Sequence, residues 1–551
     1  MTHVTKKNFH DVISTLEKLI PTASFIAIDE EMTGIQIVDQ DGTCDKNLPN
    51  DKLQDRYVKM KAVAETYRII QIGICLFHEV IDDLSSDNNN NNQDNKEKKK
   101  KYTATPFNFY LFPENGSIHM EGSAIRFNAD HGMDFNKWIR DGIPYVTSKG
   151  EENFTQKMVV TDNRDATSSS PQAKAFWVKK AVNFLTTDDE LYRFEYCKSE
   201  ILASLGKFRT IHSDGGCTTI TDLTKKMSLA VLEWFKEEPA ETFLPIDKSQ
   251  LKMVEFFHGG KFHLWFEYYT KEQLDIFNQR MMAKEKSKHL GFRLVWNMLT
   301  SPKCRAPILT HNGMFDLLFM WTHFENSTLP DTLDDFKGQL SSKFVGGVYD
   351  TKLISTKLLE KLTGSYKTAL GPAFESIQKV VVENKSTHPL SIELDVPMDC
   401  KYASNGSCHE AAYDAWITGY IFLHMLALDG SDSDKFHNRM FNYNHPLVTR
   451  FGLDNDTGMT LSNEMVDQDC RVVLVQDFPK EWTTDDVKVW ANRMVDDGHS
   501  DDAAMPNSKL VADYGIQVKW IDDDSLYLYV PSKINFKSEA TKVSWTNVVA
   551  E

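Results

Sequence analysis

The sequence lacks any apolar run near the ~20 residues that a membrane-crossing helix needs. The longest candidate, Ile417 to Leu428, is too short and carries His424. No apolar signal core follows the polar start MTHVTKKNFHDV. That argues against secretion and leaves a cytoplasmic location, with the nucleus as an alternative. Cysteine is scarce: eight residues, with no CxxC pair and no zinc-ribbon spacing. A reduced, intracellular protein without structural zinc is expected. Excess positive charge is missing too. Lys and Arg number 62 against 79 Asp and Glu, a net of −17. That is the wrong sign for coating nucleic acid by bulk attraction. It does not exclude an enzyme acting on nucleic acid, because carboxylates build metal sites and bound cations reverse the local field. No internal repeat is present. What remains is an ordinary globular makeup, 41% hydrophobic, 11% aromatic and 26% charged. This excludes wholesale disorder, collagen and coiled coil. With 551 residues, and about 100–200 residues per domain, two to four domains are expected.

The periodicities place elements along the chain. Phe9, Val12, Ile13, Leu16 and Leu19 recur at helical spacing, and Pro21 ends that helix. FIAIDEEMTGI (25–35), RIIQIGICLF (68–77) and FNFYLF (107–112) read as strands. The low-complexity stretch 82–101, an Asn run followed by a Lys run, reads as a disordered hairpin insertion. Residues 147–172 suit a linker, and 173–245 look mostly helical, with AKAFWVKKAVNFL and LTKKMSLAVLEWF amphipathic. A strand (APILTHN, 306–312), a helix (GMFDLLFMWTHF, 313–324), a helix after VYD (348–350) and a long helix from His409 to Leu428 follow. Residues 429–470 read as polar loop. The remainder, 471–551, alternates strand, helix, strand, strand.

Acids stand out against this background. Asp29 and Glu31 lie two apart on a predicted strand, so both leave the same face. Alone, the pair reads either as solvated strand-end acids or as ligands of a divalent cation. Asp188 and Glu190 have the same spacing in a polar, helical context and are assigned no role. Asp316 sits one turn into an otherwise apolar helix, and Asp414 on another; such acids need a partner or a metal. His409, five residues before Asp414, also reads as a capping or core histidine, and Asp414 as a buried hydrogen-bonded acid.

Asp-x-Glu, Asp, then His-x4-Asp is a specific combination. With FIAIDEEMTGI, HNGMFDLLF, VYDTKL, HEAAYDAWITGYIF, NFYLFP (108–113) and GMDFNKWIRDGIPY (132–145), the chain resembles the poly(A)-specific ribonuclease (PARN) family of DEDD-type 3′→5′ exoribonucleases. The resemblance spans most of residues 8–425. It implies an α/β, RNase-H-like core in two halves, 1–172 and 246–445, around an inserted helical or α/β module at 173–245. A linker (446–470) and an RNA-recognition-motif-like α+β domain (471–551) would follow. It further implies that Asp29, Glu31, Asp316 and Asp414 hold two Mg²⁺ ions, with Mn²⁺ as a substitute, and that His409 is the general base for the attacking water. Oxygen-only ligands suit Mg²⁺ or Mn²⁺ far better than zinc. The substrate would be a single-stranded RNA 3′ end, either a poly(A) tail or the 3′ extension of a small RNA precursor such as a piRNA. Nucleoside 5′-monophosphates would be released. A homodimer and small-RNA pathway protein partners are implied; no membrane is.

Weaker candidates surround these. By resemblance, Met32 and Ile35 lie where the family packs the 3′-terminal nucleotide. His311 and Asn312 end a strand at the mouth of the expected site and read either as substrate contacts or as core hydrogen bonders. Asp350 reads as the cap of the helix after it, with a catalytic role as the minor alternative. Arg280, Lys284, Lys286, Lys288 and Arg293 against Glu285 form a candidate phosphate track, or an ordinary solvated face. Arg209 and His212 stand one residue too close for the family insert's Arg-x-x-x-His signature, so the RNA chemistry of that module is in question. In the last domain Leu526, Leu528 and Val530 would face the core, leaving Tyr527 and Tyr529 on the open sheet. Trp520 matches the family's cap-stacking tryptophan, yet alternates in phase with Ile516 and Val518, as a buried residue would. Nine basic against fourteen acidic residues in 471–551 disfavour strong RNA backbone binding. The rival readings are a catalytically inactive RNA-binding adaptor, which should have lost one of the five catalytic positions, and a DNA exonuclease.

Overall fold

The computed structural model describes residues 2–37, 51–80, 100–114, 116–156, 185–211, 216–243, 248–385, 388–396, 410–430, 432–442, 445, 447–454, 459–465, 470–476, 482–493, 516–520 and 525–531. It divides into two compact units, Met1–Glu151 with Lys288–Glu551, and Glu152–Ser287.

In chain order the first unit begins with β1 (Thr2–Val4), α1 (Phe9–Leu19), β2 (Phe25–Met32), α2 (Leu53–Thr66), β3 (Ile69–Glu79), β4 (Lys100–Tyr110), α3 (Gly122–Asp130) and α4 (Phe135–Asp141). The second unit holds α5 (Asp188–Ile211), β5 (Gly216–Leu223), α6 (Lys225–Glu237), β6 (Leu251–His258), β7 (Lys261–Tyr268) and most of α7 (Lys271–Leu290). The chain then returns to the first unit with α8 (Arg293–Leu299), β8 (Ile308–Thr310), α9 (Met314–Met320), α10 (Leu333–Lys343), β9 (Val348–Asp350), α11 (Thr351–Thr363), α12 (Leu370–Glu383), β10 (Leu390–Leu394) and α13 (Ala411–Asp429). Last come β11 (Arg439–Met440), β12 (Leu447–Arg450), β13 (Glu464–Met465), β14 (Cys470–Gln476), α14 (Thr484–Arg493), β15 (Gln517–Trp520) and β16 (Ser525–Pro531).

The first unit is built on a ten-stranded mixed sheet in the order β1-β4-β3-β2-β8-β9-β11-β12-β13, with β10 also on β4. Strand alternation explains its two cores. Ile26, Ile28, Ile72 and Ile74 face one cluster with α1, α2, α8 and α9. Ala27, Cys75 and Phe77 face the other, with α11, α12 and α13. An α/β core with helices on both faces of a central sheet is the expected architecture. Its edges were not expected: β1, β10 and β11–β13 are short strands, three of them in the stretch 429–470 read as loop. Each adds to an existing strand rather than forming a sheet of its own. Lys100 and Lys101, assigned to the insertion 82–101, open β4 and pair with Leu390 and Ser391; residues 82–99 lie outside the described residues.

The second unit is larger than the expected module 173–245. β6 and β7 pair with each other and with β5 in a three-stranded antiparallel sheet, so residues 246–287 belong with the insert and not with the nuclease core. Leu264 and Phe266 of β7 pack with Met227, Ala230 and Val231 of α6 on one face of that sheet. The amphipathic stretch expected at 173–185 lies, except for Leu185, outside the described residues.

At the C-terminal end, β14, β16 and β15 form an antiparallel sheet in that order, with α14 against it. Leu526, Leu528 and Val530 face its core as expected. Tyr529 does not lie open: it is only 6% exposed. β16 is the central strand, with Val472 and Gln517 directly opposite Tyr529 on either side, so neighbouring strands flank it on both edges. The side chains of Tyr527 and Trp520 lie outside the described residues.

Candidate active site

β2 brings Asp29 and Glu31 out on the face it shares with Ala27, the face covered by α13. That helix is apolar on every side, and thirteen of its residues from Ala411 to Met425 are buried, Asp414 among them. Gly430, in the left-handed conformation at φ 65°, ends it. Ligand oxygens of Asp29, Glu31 and Asp414 lie within 4.8 Å of one another. Asp316 arrives from the first turn of α9 and accepts from the backbone N–H of Glu30. Of the five expected catalytic residues, four therefore stand in one electrostatic neighbourhood. His409 lies outside the described residues.

Four acids crowded into a half-buried site resist ionisation. Burial, then the charges of Asp414, Asp316 and Glu31, push the Asp29 carboxyl well above its ordinary value. Burial, Asp414 and Asp316 raise Glu31 to about 8. Burial raises Asp316 to about 7, opposed by backbone N–H donors and assisted by Asp350. The donor set is all oxygen, and three of its carboxylates converge within 4.8 Å, which fits a hard divalent cation. Such an ion would supply the compensating positive charge.

Glu30 was missed by the sequence reading. It is 6% exposed, and neither carboxylate oxygen has a hydrogen-bond partner among the described residues. Burial first, then Asp316 and Asp29, raise its proton affinity well above the ordinary value. Only the strand period could have flagged it, as an acid in phase with Ile26 and Ile28. Glu30→Leu is expected to stabilise the metal-free protein by about 1–3 kcal/mol at pH 8. The gain should shrink as pH falls below the ordinary glutamate range, where both folded and unfolded chains are protonated. Urea denaturation at the two pH values checks this.

The other candidates separate. Asp350 is a cap: Oδ1 accepts from Asn312 N–H and Lys352 N–H at 2.8 Å, and Oδ2 from Phe441 N–H at 2.9 Å. It ties the turn after β8, the start of α11 and the segment after β11 together. Asp350→Ala takes the acceptor from three backbone N–H groups, that of Phe441 buried and those of Asn312 and Lys352 part-buried, and is expected to cost about 2–4 kcal/mol of unfolding free energy, measured by urea denaturation in EDTA. His311 Nδ1 and the Thr351 hydroxyl share a hydrogen bond at 2.9 Å, and burial, then the charge of Lys352, lowers the His311 pKa to about 3. It is a neutral, hydrogen-bonded side chain. Asn312 takes a left-handed backbone, φ 61°. Met32 is 9% exposed and packed in the core with Ile28 and Ile72, because it falls on the face of β2 opposite Asp29 and Glu31; it is not open to a base as expected. Ile35, 56% exposed, remains accessible. Lys284, Lys286 and Lys288 are exposed along α7. Trp520 closes β15 opposite Leu526.

A family model described as CAF1 family ribonuclease matches residues 4–422. The chain belongs to that family. It is an enzyme, an exoribonuclease. A protein of Schizosaccharomyces pombe described as uncharacterized is 27% identical over 452 residues, covering 78% of this ribonuclease and 95% of that protein. Poly(A)-specific ribonuclease PARN of Xenopus laevis is 25% identical over 555 residues, covering 95% and 76%. The pre-piRNA 3′-exonuclease trimmer of Bombyx mori is 25% identical over 432 residues, covering 77% and 70%. Among solved structures, Pop2p of S. pombe in a Mg²⁺- and Mn²⁺-bound form is similar at 12% identity and a TM-score of 0.36, covering 80% of the ribonuclease and 98% of that chain.

Proposed function

We propose that this ribonuclease is a Mg²⁺-dependent 3′→5′ exoribonuclease that shortens RNA 3′ ends, poly(A) tails or the 3′ extensions of small RNA precursors, to nucleoside 5′-monophosphates. One observation carries the reading: three carboxylates from β2 and α13 converge within 4.8 Å in a chain of a ribonuclease family. Asp29, Glu31, Asp414 and Asp316 would hold two divalent ions. Bound there, the ions would supply positive charge on both sides of the scissile phosphate. The chain's own residues do the rest. β2, α9 and α13 bring the four carboxylates into one neighbourhood, where crowding makes Asp29, Glu31 and Asp316 hold their protons until a cation takes the protons' place. His409, one residue before the N-cap Glu410, is the assigned general base, taking a proton from the attacking water. Ile35 offers an exposed apolar contact to the terminal base.

Poly(A)-specific and pre-piRNA-trimming relatives match at the same 25% identity, so the two substrate classes are not separated by likeness. Homodimerisation, small-RNA pathway protein partners, a cytoplasmic location, and a weakly RNA-binding or protein-binding C-terminal module complete the reading. Single-turnover digestion of 5′-labelled A20 and of a mixed-sequence RNA with a 3′ extension, with DNA and EDTA controls, tests it. Ladders on A20 alone mark a deadenylase, and equal ladders on both RNAs mark a general trimmer. Equal cutting of DNA, or no cutting at all, overturns the assignment.

A further inference from the structure

The hydrogen-bond register aligns four residues in one row across the sheet. Asp29 of β2 stands opposite Gly73 of β3, Gly73 opposite Asn108 of β4, and Asn108 opposite His3 of β1. Residues in register share a face, here the face under α13. The first turn of that helix lies along the row. A Cβ at Gly73 would stand 2.0 Å from the backbone carbonyl of Ala411, so only glycine admits the helix this close. Asn108, fully buried, donates from Nδ2 to Glu410 Oε1 at 3.0 Å, and Glu410 is the N-cap of α13. His3 Nδ1 lies 3.6 Å from the same oxygen. At the other end of the row Asp414, one turn into the helix, meets Asp29. Two residues along β3 from Cys75, Phe77 repeats the fit: a Cβ at Gly419 would stand 2.1 Å from its ring.

We propose that Asn108 and Gly73 are positioning residues for the reaction. Asn108 pins the N-cap of α13 and Gly73 sets its height above the sheet; together they fix where Asp414 stands relative to Asp29. Neither touches the reacting atoms. The proposal rests on Asp29, Glu31 and Asp414 being cation ligands.

The test uses the full chain and a reversed hydrogen bond. Asn108→Asp faces Glu410 with a second carboxylate; adding Glu410→Gln restores one donor and one acceptor. Asn108→Asp is expected to weaken Mn²⁺ binding, read by titration calorimetry, by about 10–100-fold. kcat should fall with it while KM for RNA holds. The double variant should return Mn²⁺ affinity to within about threefold of the parent, against the 10–100-fold loss expected for a misplaced supporting residue. Gly73→Ala should weaken Mn²⁺ binding without rescue. A fall in melting temperature alone, with Mn²⁺ affinity and kcat at the parent's level, overturns the proposal, as does a double variant no better than Asn108→Asp. Asp414→Asn is the control: if it keeps both Mn²⁺ affinity and activity, the cation-ligand reading itself has failed.

Discussion

Asp414→Asn is expected to cut single-turnover cleavage about a thousandfold and, in EDTA, to raise the melting temperature. The two effects have one cause. Asp414 is buried on an apolar helix with its oxygen within 4.8 Å of Asp29 and Glu31. Its charge is the largest electrostatic contribution holding the protons on both neighbours. An amide keeps the shape and removes one charge from a crowded pocket, so the metal-free fold relaxes. The same change removes a cation ligand, so catalysis collapses. Calorimetry in EDTA and rapid-quench assays in Mg²⁺ read the two sides. Lost activity with a lowered melting temperature would indicate a structural acid instead.

Adding Mg²⁺ should stabilise the protein far more at pH 8 than at pH 5. Glu31 and Asp316 are raised to about 8 and about 7, and Asp29 is raised with them. Between the ordinary carboxylate range and about pH 8, the folded chain holds protons that the unfolded chain has released. Raising pH across that window therefore favours unfolding of the metal-free protein. A cation takes the place of those protons. At a hundred times its Kd it should add about 2.7 kcal/mol, in full only where the acids have ionised. Melting curves at pH 5 and pH 8, with EDTA or Mg²⁺, check the sign. Stability that rises with pH in EDTA would contradict crowded carboxylates that hold their protons.

Much of the site was legible because its signals are local. The two-residue period of a strand puts Asp29 and Glu31 on one face, and acids on apolar helices mark Asp316 and Asp414. Asp350 was legible as a cap from its place before a helix. The rest depends on what lies across the fold. Gly73 and Asn108 stand out only once β3 and β4 are in register under α13, since neither carries a pattern of its own. β1, β10 and β11–β13 are too short to show a period, and they form because a neighbouring strand offers its edge. The end of the insert at Ser287 follows from β6 and β7 pairing with β5. Met32 was named from resemblance alone, and strand phase, which puts it on the face opposite Asp29 and Glu31, buries it.

The unit that carries the acids is discontinuous in the chain, and this bears on its biosynthesis. Asp29 and Glu31 precede the insert, whereas Asp316 and Asp414 follow it. β2 can pair with β3 early, but its partner β8 and the helix that completes the pocket are made only after the whole insert. A nascent chain or a premature-stop fragment ending in the insert thus holds half a ligand set on an uncovered sheet. It can have no nuclease activity, and its bare strands are a natural target for chaperones. Order of synthesis thus withholds the last ligand, Asp414, until the insert and the residues up to α13 have been made.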